Sequence, residues 1–395
     1  MLLSFALIIF CGFALSGIMK KLRLPALLGM MIAGMLLGPY ELDLIDPSIL
    51  TISADLRQIA LIVILIRAGL ALDLGDLRKV GRPAILMSFI PATFELAAVV
   101  IFAPPLLGVS YLDAAIMGTV LAAVSPAVVV PSMLRLMESG YGQENSIPQL
   151  ILAGASVDDI YVIVLFASLT GMHQGEGFNL FSLTKVPVSI FAGLLLGISL
   201  GLVVVWLFRT IQMHDTVQVL LLFGISFLFL AFESAVKPYI SVSGLLAVMA
   251  LGSTILRKDS YLAKRISGKY AKIWVAAELL LFVLVGAQVN IGYARDAGMI
   301  PVYLIAISLL FRIAGVYFCL IKTSLNQKER LFCAIAYLPK ATVQAAIGGV
   351  PLAMGIAAGD AILTVAVLAI MITAPLGVIG IDLTHKRLLN RSMSS

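Results

Sequence analysis

The chain has 395 residues, of which 61% are hydrophobic and only 12% charged, with a formal net charge of +6. A soluble domain is about one-quarter charged, and a mean hydropathy of +1.09 is more apolar surface than such a domain can fold away from water. Composition therefore excludes an ordinary soluble protein. The excess positive charge lies in short connections between apolar runs and not in one patch, which excludes a nucleic-acid binder.

A bilayer span needs about 20 mostly apolar residues. On that measure the chain reads as an all-α polytopic membrane protein with thirteen predicted spans. Their limits are 1–19, 25–39, 57–74, 83–103, 112–134, 147–171, 184–208, 216–236, 241–256, 271–289, 299–321, 329–353 and 361–384. The first is apolar and followed by Lys20, Lys21 and Arg23. A cleaved signal carries its positive charge ahead of the apolar run, so 1–19 is read as a span. Cys11, Cys319 and Cys333 sit in apolar runs without metal-ligand spacing and read as reduced packing residues. His173, His214 and His385 fall in predicted loops or the tail.

Orientation follows from the connections. With the N-terminus outside, 20 of the 27 Lys and Arg residues lie in cytoplasmic connections and the C-terminal tail. Four (Arg57, Lys185, Lys237, Arg295) lie outside, and three (Arg67, Arg312, Lys340) lie inside spans. This asymmetry predicts an N-out, C-in multi-pass protein.

The chain also repeats itself. Ala26–Gly34 in the second span aligns without gaps with Gly244–Gly252 in the ninth, and Gly69–Leu74 in the third with Gly286–Ile291 in the tenth. Ser125-Pro126-Ala127 in the fifth can be laid on Leu338-Pro339-Lys340 in the twelfth. All three share an offset of seven spans. An odd offset inverts topology, the signature of secondary transporters with a midplane site at broken helices.

Few ionisable residues lie inside the predicted spans: Arg67, Glu95, Asp158, Asp159, Glu278, Arg312 and Lys340. Each costs at least about 2.5–3.5 kcal/mol to insert, so each needs a reason. Asp158 and Asp159 are adjacent in an apolar helix. Neighbouring helical carboxylates point about 100° apart, so one can face an aqueous cavity and the other a neighbouring helix. Close like charges and burial both favour retention of a proton. A carboxylate so tuned can trade H⁺ for a hard cation. Prolines break the fifth and twelfth spans at Ser125-Pro126 and Pro339-Lys340, and freed backbone at membrane depth is tolerated only when buried or lining a cavity. Lys340 can offset the half-helix partial charges. Arg312 can pair with Glu95 or with Asp158, Arg67 can pair with Glu278, and Ser156 and Thr342 can supply oxygen ligands.

Three motifs carry a resemblance: Ser125-Pro-Ala-Val-Val-Val-Pro-Ser132, Gly154-Ala-Ser-Val-Asp-Asp159 and Leu338-Pro-Lys-Ala-Thr-Val-Gln-Ala345. Over roughly residues 1–385 the chain resembles the monovalent cation/proton antiporter superfamily, in its sodium/hydrogen exchanger-like branch. The resemblance implies the fold of the NhaA and NapA antiporters, with two crossed discontinuous helices at the fifth and twelfth spans. It implies a core subdomain over about 57–171, 271–353 and 361–384, a dimer-forming scaffold over 1–39 and 216–256, and a linker helix at 184–208. It makes Asp159 the main site for Na⁺ or Li⁺ and for the proton, with Asp158 its partner. Arg312 stands where electrogenic bacterial members carry lysine. Arginine does not release its proton, so the stoichiometry stays open.

The expectation is a secondary Na⁺(Li⁺)/H⁺ antiporter working by alternating access, with no cofactor and no enzymatic activity. Its partners would be monovalent cations, protons, the lipid bilayer and a second copy in a homodimer, with no nucleic acid. A K⁺/H⁺ antiporter or an organic-solute symporter of the same fold is the alternative. No nucleotide-binding segment follows Arg391, which argues against a gated potassium-efflux system. An intramembrane aspartyl protease needs two aspartates from different helices, whereas these two are neighbours. A channel would carry current without proton exchange. The lack of targeting features and long soluble tails points to a bacterial inner membrane, with a role in pH homeostasis.

Overall fold

The computed structural model describes residues 1–22, 24–71, 81–173, 180–211, 213–236, 240, 242–290, 292 and 298–391. Arg23, Arg78, Lys79, Lys237 and Arg295 from the charge count lie outside the described residues, as do 72–74 and Ile291 of the repeat alignment. Also outside the description are the side chains of Pro126, Ser156 and Lys185.

Regular structure among the described residues is helical, apart from one isolated bridge between Tyr141 and Arg391. The chain begins with α1 (Leu2–Lys21), α2 (Ala26–Leu37), α3 (Pro47–Thr51) and α4 (Ser53–Ala71). It continues with α5 (Arg82–Met87), α6 (Ile90–Leu107), α7 (Tyr111–Ala122), α8 (Pro126–Glu138) and α9 (Ile147–His173). Next come α10 (Leu180–Thr210), α11 (Asp215–Val236), α12 (Gly244–Lys258) and α13 (Ser260–Ala287). The last are α14 (Ile300–Cys319), α15 (Gln327–Ala336), α16 (Thr342–Ile347), α17 (Val350–Ala353) and α18 (Gly359–Leu388).

Among the described residues, eight helical stretches are long and apolar enough to cross a bilayer: Leu2–Lys21, Arg82–Leu107, Ile147–His173, Phe191–Thr210, Asp215–Val236, Ser260–Ala287, Ile300–Cys319 and Gly359–Leu388. Shorter apolar helices cover Ala26–Leu37, Tyr111–Ala122, Val128–Met137 and Thr342–Ala353. Leu2 and Phe10 on α1, Trp206 on α10, and Leu220 and Leu228 on α11 are exposed. Such faces are stable against lipid and not against water.

The chain divides into two compact units, one of residues 1–57, 76–162 and 279–395, the other of 58–75 and 163–278. Glycines set the packing inside each. In the first unit a side chain on Gly34 of α2 would strike the carbonyl of Val283 and come within 2.9 Å of the Ala287 nitrogen, and one on Gly286 would strike the carbonyl of Met31. In the second, Gly252 of α12 approaches the Ile66 carbonyl at 3.0 Å, and Gly69 of α4 abuts the carbonyl of Met249. Gly193, Gly197 and Gly201 line up at four-residue spacing on α10 against Ser243, Ala247 and Thr254. Small residues so placed let backbones approach, which is how membrane helices associate without a hydrophobic drive between them. Gly34→Ala must push a backbone aside, so it is expected to cost about 1–3 kcal/mol, read as a lower melting temperature of the detergent-solubilised protein.

Two helical runs are interrupted. The chain leaves α7 at Ala122, is extended at Ala123 (ψ 143°) and at Ser125, and re-enters helix at Pro126, where a missing N–H costs nothing. Between α15 and α16 the chain runs through Pro339 to a non-helical Ala341. The two breaks meet: the Ser125 N–H donates to the Pro339 carbonyl at 2.8 Å.

Several expectations need correction. Arg57, counted on the outer side, is on α4, which begins at Ser53, and only 1% of its surface is exposed. The predicted span 271–289 starts eleven residues late. α13 begins at Ser260, and Leu262, Ala263, Ile266 and Tyr270 are buried while Lys264, Arg265 and Lys269 are exposed. This stripe continues the helix beyond the uniformly apolar stretch that hydropathy detects. His173 and His385 are on the last turns of α9 and α18, not in loops or tail. The span predicted at 83–103 lies in the single stretch Arg82–Leu107, which carries a turn at Ser88–Phe89 ahead of Pro91, a residue with no N–H to continue the ladder.

Candidate functional site

The site is assembled in the first unit, around the breaks. α7 ends with the carbonyls of Leu121, Ala122 and Ala123 unclaimed by its own backbone, the negative end of a half-helix. Each is claimed by a side chain. Lys340 Nζ donates to Leu121 O at 2.5 Å, Arg312 Nη1 donates to Ala122 O, and Gln344 Nε2 donates to Ala123 O at 2.8 Å. Lys340 is held in turn by Thr373 Oγ1, which accepts its backbone N–H at 2.9 Å.

The cations are neutralised by acids from other helices. Glu95 on α6 is fully buried and accepts from Arg312 Nη1 and from Lys340 Nζ, both at 2.8 Å, and from Ser308 Oγ at 3.2 Å. Arg312 on α14 also donates from Nη2 to Asp158 Oδ2 at 3.1 Å and from Nε to the Tyr337 carbonyl at 2.6 Å, and lies 5.6 Å from the centre of the Tyr337 ring. Asp158 Oδ2 further accepts the Val124 backbone N–H at 2.9 Å. Arg312 therefore pairs with both Glu95 and Asp158, where the sequence left the choice open. The planar, multi-donor guanidinium makes this possible.

Charge bookkeeping isolates Asp159. Arg312 and Lys340 balance Glu95 and Asp158. Asp159, only 5% exposed, has no ion-pair partner among the described residues. A second pattern points the same way. Asp158 Oδ1, Asp159 Oδ1, Ser125 Oγ, Thr342 Oγ1 and Gln344 Oε1 are all buried without a hydrogen-bond partner. Buried oxygens are rarely left so. All five are on the carboxylate helix or next to one of the two breaks. Oxygens alone are also the donor set of a hard cation, whose binding would satisfy them.

The residues singled out in the sequence thus divide. Asp158, Glu95, Arg312 and Lys340 form one ion-pair network. Asp159, Ser125 and Thr342 contribute unpartnered oxygens. Pro126 opens α8, and Ser156 is on α9. Arg67 is in the second unit, 5.8 Å over the Trp274 ring and within electrostatic reach of Glu278. Sequence reasoning missed Gln344 as a functional residue, although it stands in the third motif. The available signal was an uncharged amide in the middle of an apolar span. It also missed Tyr337, whose buried hydroxyl occupies the space a side chain on Gly154 would need.

Comparison with known proteins gives a consistent answer. The family model described as the transmembrane sodium/hydrogen exchanger matches residues 5–386. Sodium/hydrogen exchanger 9B2 from Mus musculus is 35% identical over 381 residues, covering 93% of this chain and 69% of the relative. Sodium/hydrogen exchanger 9B1 from Homo sapiens is 33% identical over 388 residues, covering 93% and 73%. In fold, the chain is similar to the sodium proton antiporter MjNhaP1 from Methanocaldococcus jannaschii, with a TM-score of 0.82 over 98% of this chain and 97% of that one, at 21% identity.

Proposed function

The chain belongs to the sodium/hydrogen exchanger family, and on that premise we propose that it exchanges Na⁺ or Li⁺ for H⁺ by alternating access at Asp158 and Asp159. Membership makes it a transmembrane antiporter and not an enzyme. The observation that carries the specific site is the set of unpartnered oxygens: Asp158 Oδ1, Asp159 Oδ1, Ser125 Oγ, Thr342 Oγ1 and Gln344 Oε1. Asp159 is the exchanging group, because it alone of the buried acids in the network lacks a cation of its own. It holds either a proton or the metal cation. Asp158 lends its free oxygen to the cation while its Oδ2 stays bonded to Arg312. Lys340 and Arg312 hold the end of the half-helix, and Glu95 neutralises both. An organic-solute symporter is less well supported, since carboxylates and bare oxygens suit a small cation.

The proposed architecture is thirteen spans with crossed breaks and inverted repeats, N-terminus outside, in a bacterial inner membrane as a homodimer. Support for the repeat comes from the glycines. Gly34 against the Val283–Gly286 stretch, and Gly252 against the Ile66–Gly69 stretch, are equivalent contacts under an offset of seven spans. Transport would move the core (57–171, 271–353, 361–384) against the scaffold (1–39, 216–256), with 184–208 linking them. That division concerns motion, and it differs from the two units defined by packing.

Reconstitution in proteoliposomes with an imposed pH gradient and a trapped pH dye tests the reading. Na⁺ or Li⁺ added outside is expected to collapse the gradient. Collapse by K⁺ alone would move the assignment to a K⁺/H⁺ antiporter, and no response to any of the three cations would overturn it. Repeating the assay with the membrane potential clamped gives the stoichiometry.

A further inference from the structure

Arg57 takes no part in the cation site, yet it is among the largest fully buried side chains of the protein, at 1% exposure. Its Nε donates to the Ser53 carbonyl one turn earlier at 3.2 Å, but Nη1 and Nη2 have no hydrogen-bond partner. No acidic residue among the described ones forms an ion pair with it. An arginine stays protonated at any physiological pH. A buried, unpaired guanidinium is one of the costliest arrangements a protein can hold, and in practice it acquires a counter-charge.

Beside it lies a second unmatched group. Gln288 Oε1 is buried without a partner, while Gln288 Nε2 stands 2.6 Å from Ser53 Oγ. Both groups converge on one spot of backbone: a side chain on Gly349 would strike Arg57 Nη1 and lie 2.6 Å from Gln288 Oε1. Glycine at 349, having no side chain, lets Arg57 Nη1 and the Gln288 amide come this close to its backbone. Carboxamide oxygen and nitrogen are interchangeable in placement. With the amide turned over, the Ser53 hydroxyl donates to Oε1 and the amide N–H₂ faces the guanidinium. Every mismatch is then resolved by one acceptor between them. Nη1, Nη2 and Nε2 make three donors and no acceptor around a point beside a glycine.

We infer that Arg57, Gln288 and Gly349 form a binding site for a small monovalent inorganic anion of the halide class, separate from the transported cation. The anion supplies the counter-charge that the described residues leave out. A carboxylate at position 288 would supply it internally, so Gln288→Glu is the informative variant. The inference does not depend on the transport reading, and its test reads stability and anion binding, not exchange.

The detergent-solubilised full chain is melted in chloride and in gluconate at equal ionic strength, with binding of radiolabelled chloride measured in parallel. For the wild type, chloride is expected to raise the melting temperature saturably by about 2–4 °C over gluconate, with about one chloride bound per chain. Gln288→Glu is expected to be at least as stable in gluconate as the wild type is in chloride, and indifferent to chloride. Arg57→Gln and Gly349→Ala are expected to lose chloride binding. Should Arg57→Gln fail to fold, Gln288→Glu still decides. A wild type indifferent to chloride, or a Gln288→Glu protein that binds and responds to it as the wild type does, overturns the site and leaves water as the occupant.

Discussion

Asp159→Asn is expected to reduce Na⁺-driven dissipation of a pH gradient to the level of protein-free liposomes, without lowering the melting temperature. The two halves of that result have one cause. The carboxylate is buried and no cation among the described residues forms an ion pair with it, so folding gains little from its charge and bears the cost of desolvating it. An isosteric amide removes that cost and keeps the shape. On the proposed reading, the same change removes the group that alternates between a proton and a metal ion. Asp158→Asn should behave differently. Asp158 Oδ2 is committed to Arg312 at 3.1 Å and to the Val124 N–H at 2.9 Å. An amide there weakens a charge-assisted bond, so stability should fall by about 1–3 kcal/mol along with exchange. If the two variants lost equal stability, the separate roles assigned to the carboxylates would be wrong.

Arg312→Leu is expected to be the most destabilising single change in the site. It leaves Glu95 paired with Lys340 and Asp158 with no ion-pair partner among the described residues, and it frees the Ala122 and Tyr337 carbonyls. Removing one partner from a buried ion-pair network costs about 3–5 kcal/mol. Arg312→Lys keeps the charge but cannot reach two carboxylates and two carbonyls lying in different directions from one ammonium. It should cost about 1–3 kcal/mol and retain reduced exchange. Thermal unfolding in detergent measures both. A leucine variant as stable as the wild type would mean that Arg312 does not hold the network together.

Much of this was legible in the sequence because the bilayer simplifies the problem. Charges are rare there, so the seven singled out within predicted spans were already a short list of candidate functional residues, and four of them meet in one network. The prolines at 126 and 339 pointed to broken helices, since a missing N–H interrupts the backbone ladder, although Pro131 and Pro375 are held inside continuous helices. What stayed hidden was hidden for physical reasons. Hydropathy averages over a window, so it lost the amphipathic first turns of α13, where Tyr270 is buried and Lys269 exposed. Arg57 follows Asp55 at the edge of an apolar run. Nothing in the order of residues says that its side chain turns inward, toward Gly349, nearly three hundred positions away. Gln344 was passed over because an amide carries no charge to signal its cost. Its role appears only once Ala123, from another span, is seen to end a half-helix beneath it.

The central claim is that one buried carboxylate holds either a proton or the metal ion, and equilibrium Na⁺ binding measured against pH tests it most directly. In the purified protein, without any gradient, the apparent Kd for Na⁺ is expected to rise as pH falls. In the limit where Asp159 is protonated, the weakening is about tenfold per pH unit if one proton is displaced. The bound Na⁺ should release a matching number of protons, and Asp159→Asn should bind no Na⁺ at any pH. Na⁺ affinity independent of pH, or undiminished binding by Asp159→Asn, would contradict the account.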